Sequence, residues 1–361
     1  MDYESSGRSR QVLREVAREN VPRSQLRTTG APGTTSDVGL FKSTLLPSFT
    51  LHSGLSVATY VASRCTDRAE LKDLNWSASQ VLNAWWSAIG THVYHDGLSV
   101  HDAWRELEWS EKLLLGGVTA WGTRLFYRVA KRCMCRPAHR DDPRYEQAKA
   151  KEQGGTAGFW GLTSSFVKLY LPEALFLTVI TLPFTLPFRA GHAGGISIDQ
   201  DVASALRALG IGLFGAGFTL ETLADSQLAS HRDQCGDLCR HGVWSIVRHP
   251  NYLGDILTHT SFALLNASNP FLPFNPVVVL GPLTNYAYIR FFSGEKENEA
   301  SQEERYRKDD PTKYAQLQQW RREKNSVWPA IGEVANPWTW VVLAGGVVGV
   351  VGEKLARHYC A

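Results

Sequence analysis

Between Cys239 and Asp255 the chain reads CRHGVWSIVRHPNYLGD, which crowds Arg240, His241, Trp244, Arg248, His249, Asn251, Tyr252 and Asp255 into one short stretch. Guanidinium groups hold phosphate in a two-pronged grip, imidazole and phenol move protons, and amide and carboxylate groups orient polar ligands. Apolar sequence resumes directly afterwards at Ile256. A charge at the centre of a membrane helix costs roughly 2.5–3.5 kcal/mol on insertion scales, so such a cluster at the mouth of an apolar segment implies a polar cavity or a ligand. Pro250 disfavours helix at His249 and suits the first turn of a new helix. Asn251, Tyr252 and Asp255 then fall at the partly positive start of that helix, where an anionic group is favoured.

Two other patterns carry possible chemistry. Gly210-Ile211-Gly212-Leu213-Phe214-Gly215 satisfies the dinucleotide fingerprint, but it sits inside an apolar helical segment without a preceding strand. Small residues four apart, such as Gly212 and Ala216, point instead to close helix packing. His231, Cys235, Cys239 and His241 are near one another in sequence, yet their spacing matches no standard zinc pattern and no metal is expected.

The elements that must position these residues are segregated rather than averaged. The chain has 361 residues, a net charge of +3 and a mean hydropathy of -0.21, values that a soluble protein would share. Residues 1–37 are polar and carry Arg8, Arg10, Arg14, Arg18, Arg23 and Arg27, which predicts a disordered basic tail with at most a short helix from Gln11 to Asn20. Apolar segments follow near Leu40–Ala62, Ala78–Tyr94, Lys112–Ala130, Phe166–Phe188, Ala203–Leu223, Tyr252–Asn266 and Phe271–Phe292. Residues 38–330 are therefore expected to form one membrane-embedded domain, all-α and polytopic, with about six to eight transmembrane helices. A separate apolar segment over 331–361, WTWVVLAGGVVGVV at its centre, is appended to it.

Charge in the loops sets the expected orientation. Lys131, Arg132, Arg136, Arg140, Arg144, Lys149 and Lys151 place the 131–151 loop in the cytosol, and the loops 224–250 and 290–330 with it. The tail's arginines favour the cytosol as well, which conflicts with the span count unless the first segment does not cross.

The stretch HGVWSIVRHPNYLGD resembles the C-terminal signature of membrane reductases that include steroid 5-alpha-reductases, sterol C14 reductases and the DUF1295 proteins. WGTRLFYRVAKR, DDPRY and LETLADSQLASHR are similar to the DUF1295 pattern and occur in the same order, so the likeness covers residues 110–330. The resemblance implies an endoplasmic-reticulum enzyme with a cytosol-facing pocket for NADPH. It would reduce a carbon–carbon double bond, an enone above all, in a steroid, sterol, terpenoid or other lipid. The cofactor-binding residues it implies are Asp225, Arg232, Trp244, Arg248, His249, Asn251, Tyr252, Asp255, Glu299 and Arg124, with Asn251 and Asp255 toward the carboxamide and ribose. The proton donor is expected in the less similar amino-terminal half, where Tyr94, His95 and Glu111 are candidates. Membrane lipids and a hydrophobic small molecule are the expected partners, and nucleic acid is not. Two rivals share the signature: a methyltransferase of the isoprenylcysteine carboxyl type using S-adenosylmethionine, and a sterol-binding relative without catalysis.

Overall fold

The computed structural model of the chain describes residues 40–137, 140–152, 166–189, 198–234, 238–269 and 274–360, and every regular element among them is helical. The basic tail over residues 1–37 lies outside the described residues.

A wide π-helical turn at Phe41–Leu45 leads into α1 (Leu46–Thr66), which stops where Asp67 takes a left-handed φ of 54°. Helix α2 (Leu71–Trp85) continues through a second wide turn, Trp86–Gly90, to His95. After the short α3 (Val100–Arg105), α4 (Trp109–Met134) opens on a reciprocal cap in which the Glu111 carboxylate accepts the Glu108 backbone N–H. There follow α5 (Pro143–Glu152), α6 (Leu171–Ile180), α7 (Gln200–Gln234), α8 (Pro250–Ala267), α9 (Leu280–Ala287), α10 (Gly294–Asp309), α11 (Pro311–Glu323) and α12 (Pro337–Cys360).

Two helices are long and apolar enough to cross a membrane, over Gln200–His231 and Pro337–Tyr359. The other expected spans correspond to helices that are shorter, interrupted or more polar. Phe166–Phe188 is divided into a π-helical turn, α6 and two short pieces, Leu182–Phe184 and Leu186–Arg189, because Pro183 and Pro187 remove helix donors. Helix α7 runs well beyond the expected Ala203–Leu223. At 1.5 Å per residue it reaches ~52 Å, more than the ~30 Å of a bilayer core, and Glu221, Asp225 and Gln227 fall in its last four turns.

Helix α8 is central, packed against α7, α4 and α9. Its contact with α7 is backbone to backbone: a Cβ on Gly217 would lie 2.7 Å from the Gly254 carbonyl, and one on Gly254 2.7 Å from the Gly217 carbonyl. The Gly210–Gly215 run works in the same way toward α12. A Cβ on Gly215 would meet the Gly345 carbonyl at 2.6 Å, and one on Gly346 the Gly212 carbonyl at 2.6 Å. The fingerprint is a helix-packing surface, and the appended segment is seated on the domain through it.

The apolar core has two centres. Leu114, Leu115, Trp121, Phe184 and Phe262 fill the space between α4 and α8, while Leu220, Val243, Trp244, Val247, Leu253 and Trp320 support the signature stretch. Against these, α1 and α2 are patterned the opposite way. They bury Ser48, His52, Ser56, Ser77, Gln80 and Asn83 and expose Val57, Val61, Leu82 and Trp85. Asn83 is the best connected of the buried groups: its Nδ2 donates to Thr181 Oγ1 at 3.2 Å, and Arg189 donates to its Oδ1 at 3.0 Å.

Candidate functional site

The signature stretch is held from both sides. The Arg248 and His249 backbone N–H groups donate to the Asn325 and Ser326 carbonyls at 3.0 and 2.8 Å, and Arg248 Nε donates to the Lys324 carbonyl at 3.1 Å. Upstream, the Trp244 indole donates to the Ala224 carbonyl at 3.0 Å. Pro250 begins α8, as its chemistry predicts, and His249 before it is non-helical at φ -130° and ψ 68°. His249 stacks on Tyr252 with ring centres 5.1 Å apart.

These residues form one wall of a cavity of about 760 Å³. Asp225, Trp244, Arg248, His249, Asn251, Tyr252, Asp255 and Glu299 all line it, although they come from α7, the loop after it, α8 and α10. Arg124 does not line it; its guanidinium is spent on Glu221 at 2.5 Å and Asp225 at 2.6 Å, so it braces α4 against α7. Arg232 is on the last turns of α7, and its side chain lies outside the described residues.

The amino-terminal candidates for a proton donor are placed elsewhere. Tyr94 is 74% exposed and its ring contacts His95. Glu111 is buried in the helix cap of α4, where its carboxylate is occupied by a backbone donor. None of Tyr94, His95 and Glu111 lines the cavity.

Glu299 organises one end of the site. It accepts a hydrogen bond from Arg248 Nη1, another from His249 Nε2 at 2.8 Å, and pairs with Arg321 at 3.2 Å. Burial alone would raise its carboxyl, but the His249 hydrogen bond and the Arg248 and Arg321 charges outweigh that and hold it below the ordinary carboxylate value. His249 moves down, because burial disfavours its cationic form more than Glu299 restores it. The pair is thus a neutral imidazole donating to a carboxylate. His249, Glu295 and Glu299 are close enough to suggest a metal, yet both carboxylates are already taken by arginines, Glu295 by Arg290.

The opposite wall was not legible as site residues. Lys72, Asp73, Arg128, Arg132, Arg144, Tyr145, Tyr288, Arg305 and Tyr306 line it. Asp73 is its hub: Arg132 and Arg144 approach at 2.7 and 2.8 Å and the Tyr145 hydroxyl donates at 2.7 Å. Burial would raise the Asp73 carboxyl, but those two arginines and Tyr145 hold it well below its ordinary value. Tyr145 moves the other way, kept protonated by burial and by the Asp73 charge. Arg305 has no ion-pair partner among the described residues and lies over the Tyr306 ring at 5.0 Å. A signal for this wall existed in the sequence: Arg124, Arg128, Arg132 and Arg136 recur every fourth residue, one stripe along α4 and its end.

Two residues that line the cavity each keep a polar atom unpaired. Asn251 Oδ1 and Arg132 Nε are buried without a hydrogen-bond partner among the described residues. Asp255 is partly committed, since Asn285 Nδ2 donates to its Oδ2 at 3.0 Å.

Among families of known proteins, the one described as "Protein of unknown function (DUF1295)" matches residues 59–320. Neither the curated proteins nor the solved structures contain a match.

Proposed function

From the premise that the chain belongs to the DUF1295 family, we propose that it is a polytopic membrane enzyme that uses NADPH to reduce a conjugated double bond in a lipid such as a sterol, steroid or terpenoid. The observation that carries the reading is the convergence of eight signature residues from separate elements on one cavity of about 760 Å³, a size within the roughly 300–1,000 Å³ of small-molecule sites. The inverted pattern of α1 and α2, polar inside and apolar outside, supports a lipid surround for more than the two long apolar helices α7 and α12. In this reading the basic 131–151 loop and the cavity face the cytosol, and the membrane is that of the endoplasmic reticulum.

The residues fit a phosphorylated, amide-bearing cofactor. Arg305, without an ion-pair partner among the described residues, offers a cation for phosphate, and Arg132 Nε a donor without a partner. Asn251 Oδ1 is a buried acceptor that a carboxamide N–H satisfies. The bound cofactor supplies hydride; the chain supplies orientation and a proton. Four phenols line the cavity: Tyr145 donates to Asp73 at 2.7 Å, Tyr288 donates to Glu173 at 3.4 Å, and Tyr306 lies under the Arg305 guanidinium assigned to phosphate. Tyr252 instead accepts from Asn298 Nδ2 at 3.3 Å, which leaves its hydrogen for a substrate carbonyl or the carbon beside it. We assign it the role of donor.

The test is titration of detergent-purified protein with NADPH, NADH and S-adenosylmethionine, using the wild type, Asn251→Ala and Tyr252→Phe. Saturable NADPH binding, weakened about tenfold in Asn251→Ala by the loss of one buried hydrogen bond, is the expected result. Tyr252→Phe should keep NADPH binding and lose turnover of enone lipids. Binding of S-adenosylmethionine alone would move the protein to the methyltransferase class, and folded protein that binds neither would leave the sterol-binding alternative.

A further inference from the structure

The loop between α7 and the signature stretch brings together three side chains that the reductase reading does not use. His231, Cys239 and His241 place one ligand atom each within 4.8 Å of one another, and the two imidazole centres are 5.1 Å apart. His231 and Cys239 are buried and both line the cavity, while His241 is exposed.

The approach is built into the backbone. Gln227, one helical turn before His231 on α7, accepts the Val243 N–H at 2.9 Å through its side-chain oxygen. That bond ties the loop to the face of α7 that carries His231. Gly242 permits it twice over: its φ is +65°, and a Cβ there would fall 2.2 Å from Gln227 Oε1. Cys239 and His241 precede this clamp, separated by Arg240 in non-helical backbone, with His241 extended at φ -106° and ψ 172°. Residues two apart in extended chain project to the same side, which here is the side of His231.

We propose that His231, Cys239 and His241 form a three-donor site for a divalent ion of zinc type. Tetrahedral zinc with bonds of about 2.0–2.1 Å to nitrogen and 2.3 Å to sulfur sets its donors roughly 3.3–3.8 Å apart, so the three atoms need draw in by only about an ångström. One thiolate and two neutral imidazoles are the donor set zinc prefers over magnesium or calcium. The ion fastens the Cys239–His241 segment to the end of α7 and so fixes the entry to the signature stretch. Three protein ligands leave its fourth position for water or an anion, on the side where His231 and Cys239 line the cavity. The site stands independently of NADPH binding, and either can fail without the other.

The experiment uses the full chain, tag-free and in detergent, stripped with chelator and then titrated with Zn²⁺ or Co²⁺ alone. One equivalent of Zn²⁺ should remain after dialysis. Co²⁺ should give a thiolate charge-transfer band in the near ultraviolet together with the visible bands of a four-coordinate ion. His241→Ala removes an exposed side chain and should fold; it is expected to weaken Co²⁺ binding by at least about tenfold, no less than the loss of a supporting contact around a ligand. Cys239→Ser should abolish the near-ultraviolet band even where some binding persists. Folded wild type that retains no zinc overturns the proposal, as does a Co²⁺ spectrum without the thiolate band or one unchanged by His241→Ala.

Discussion

Replacing Glu299 by Gln tests whether one carboxylate holds the signature stretch in place. The change keeps size and hydrogen-bonding capacity and deletes a charge shared by Arg248, His249 and Arg321. Removing one partner from a fully buried ion pair costs about 3–5 kcal/mol, and an exposed pair contributes about 0.2–1 kcal/mol. The Glu299 side chain is 16% exposed, with Arg248 at 11% and Arg321 at 22%, so screening reduces the buried figure to about 2 kcal/mol. For a chain of 361 residues, with an unfolding entropy of about 2.1 cal/mol/K per residue, that lowers the apparent Tm by about 3 °C. Glu303→Gln is the control, since Glu303 also binds Arg321, at 2.8 Å, but is 38% exposed and should move Tm by no more than about 1 °C. Tryptophan fluorescence during heating in detergent reads both, because Trp244 and Trp320 lie 6.5 Å apart beneath the loop that Glu299 secures. If Glu299→Gln melts with the wild type, or if Glu303→Gln falls as far, the carboxylate does not hold the site together.

Other outcomes follow from the same geometry. Gly215→Ala pushes a methyl against the Gly345 carbonyl and should destabilise by about 1–3 kcal/mol while leaving NADPH affinity unchanged, because the glycine run packs helices rather than holding phosphate. Lost affinity at unchanged Tm would revive the fingerprint reading. Phe262→Ala empties a fully buried position against Trp121 and Phe184 and should cost about 3–5 kcal/mol, measured by the same melt. Acid should weaken the fold in two stages. Burial depresses His249, so the unfolded chain takes up its proton first and stability begins to fall below the ordinary value of 6.5. Asp73 and Glu299 are depressed as well; their contributions are complete above their ordinary values of 3.8 and 4.5 and are lost as pH falls toward the lower folded ones. A Tm that stays level from pH 7 down to about 4 would contradict these assignments.

The sequence by itself determined the helical class, the family and one wall of the cavity. The helices followed from apolar segments of sufficient length, and the turn at His249 from the backbone restriction that Pro250 imposes. Asn251, Tyr252 and Asp255 were legible because they follow Pro250 closely, so local order already placed them on one helix start. The reading of Gly210–Gly215 as packing also came from local context, since a phosphate loop needs a strand before it.

Tertiary structure decided that the arginine stripe of α4 meets Lys72, Arg144 and Tyr145 opposite the signature. Lys72, Arg132, Arg144 and Tyr145 lie roughly a hundred residues or more from the signature, and nothing local says that α2, α4 and α5 fold back on α8 and α10. That Tyr94, His95 and Glu111 lie away from the cavity has the same cause: whether a tyrosine faces solvent, as Tyr94 does, or a cavity, as Tyr252 does, depends on which helix packs beside it. The meeting of His231 with Cys239 and His241 depends likewise on one hydrogen bond from Val243 to Gln227. Chain-local physics sets which residues share a helix face, but which faces meet is settled by packing across the whole fold.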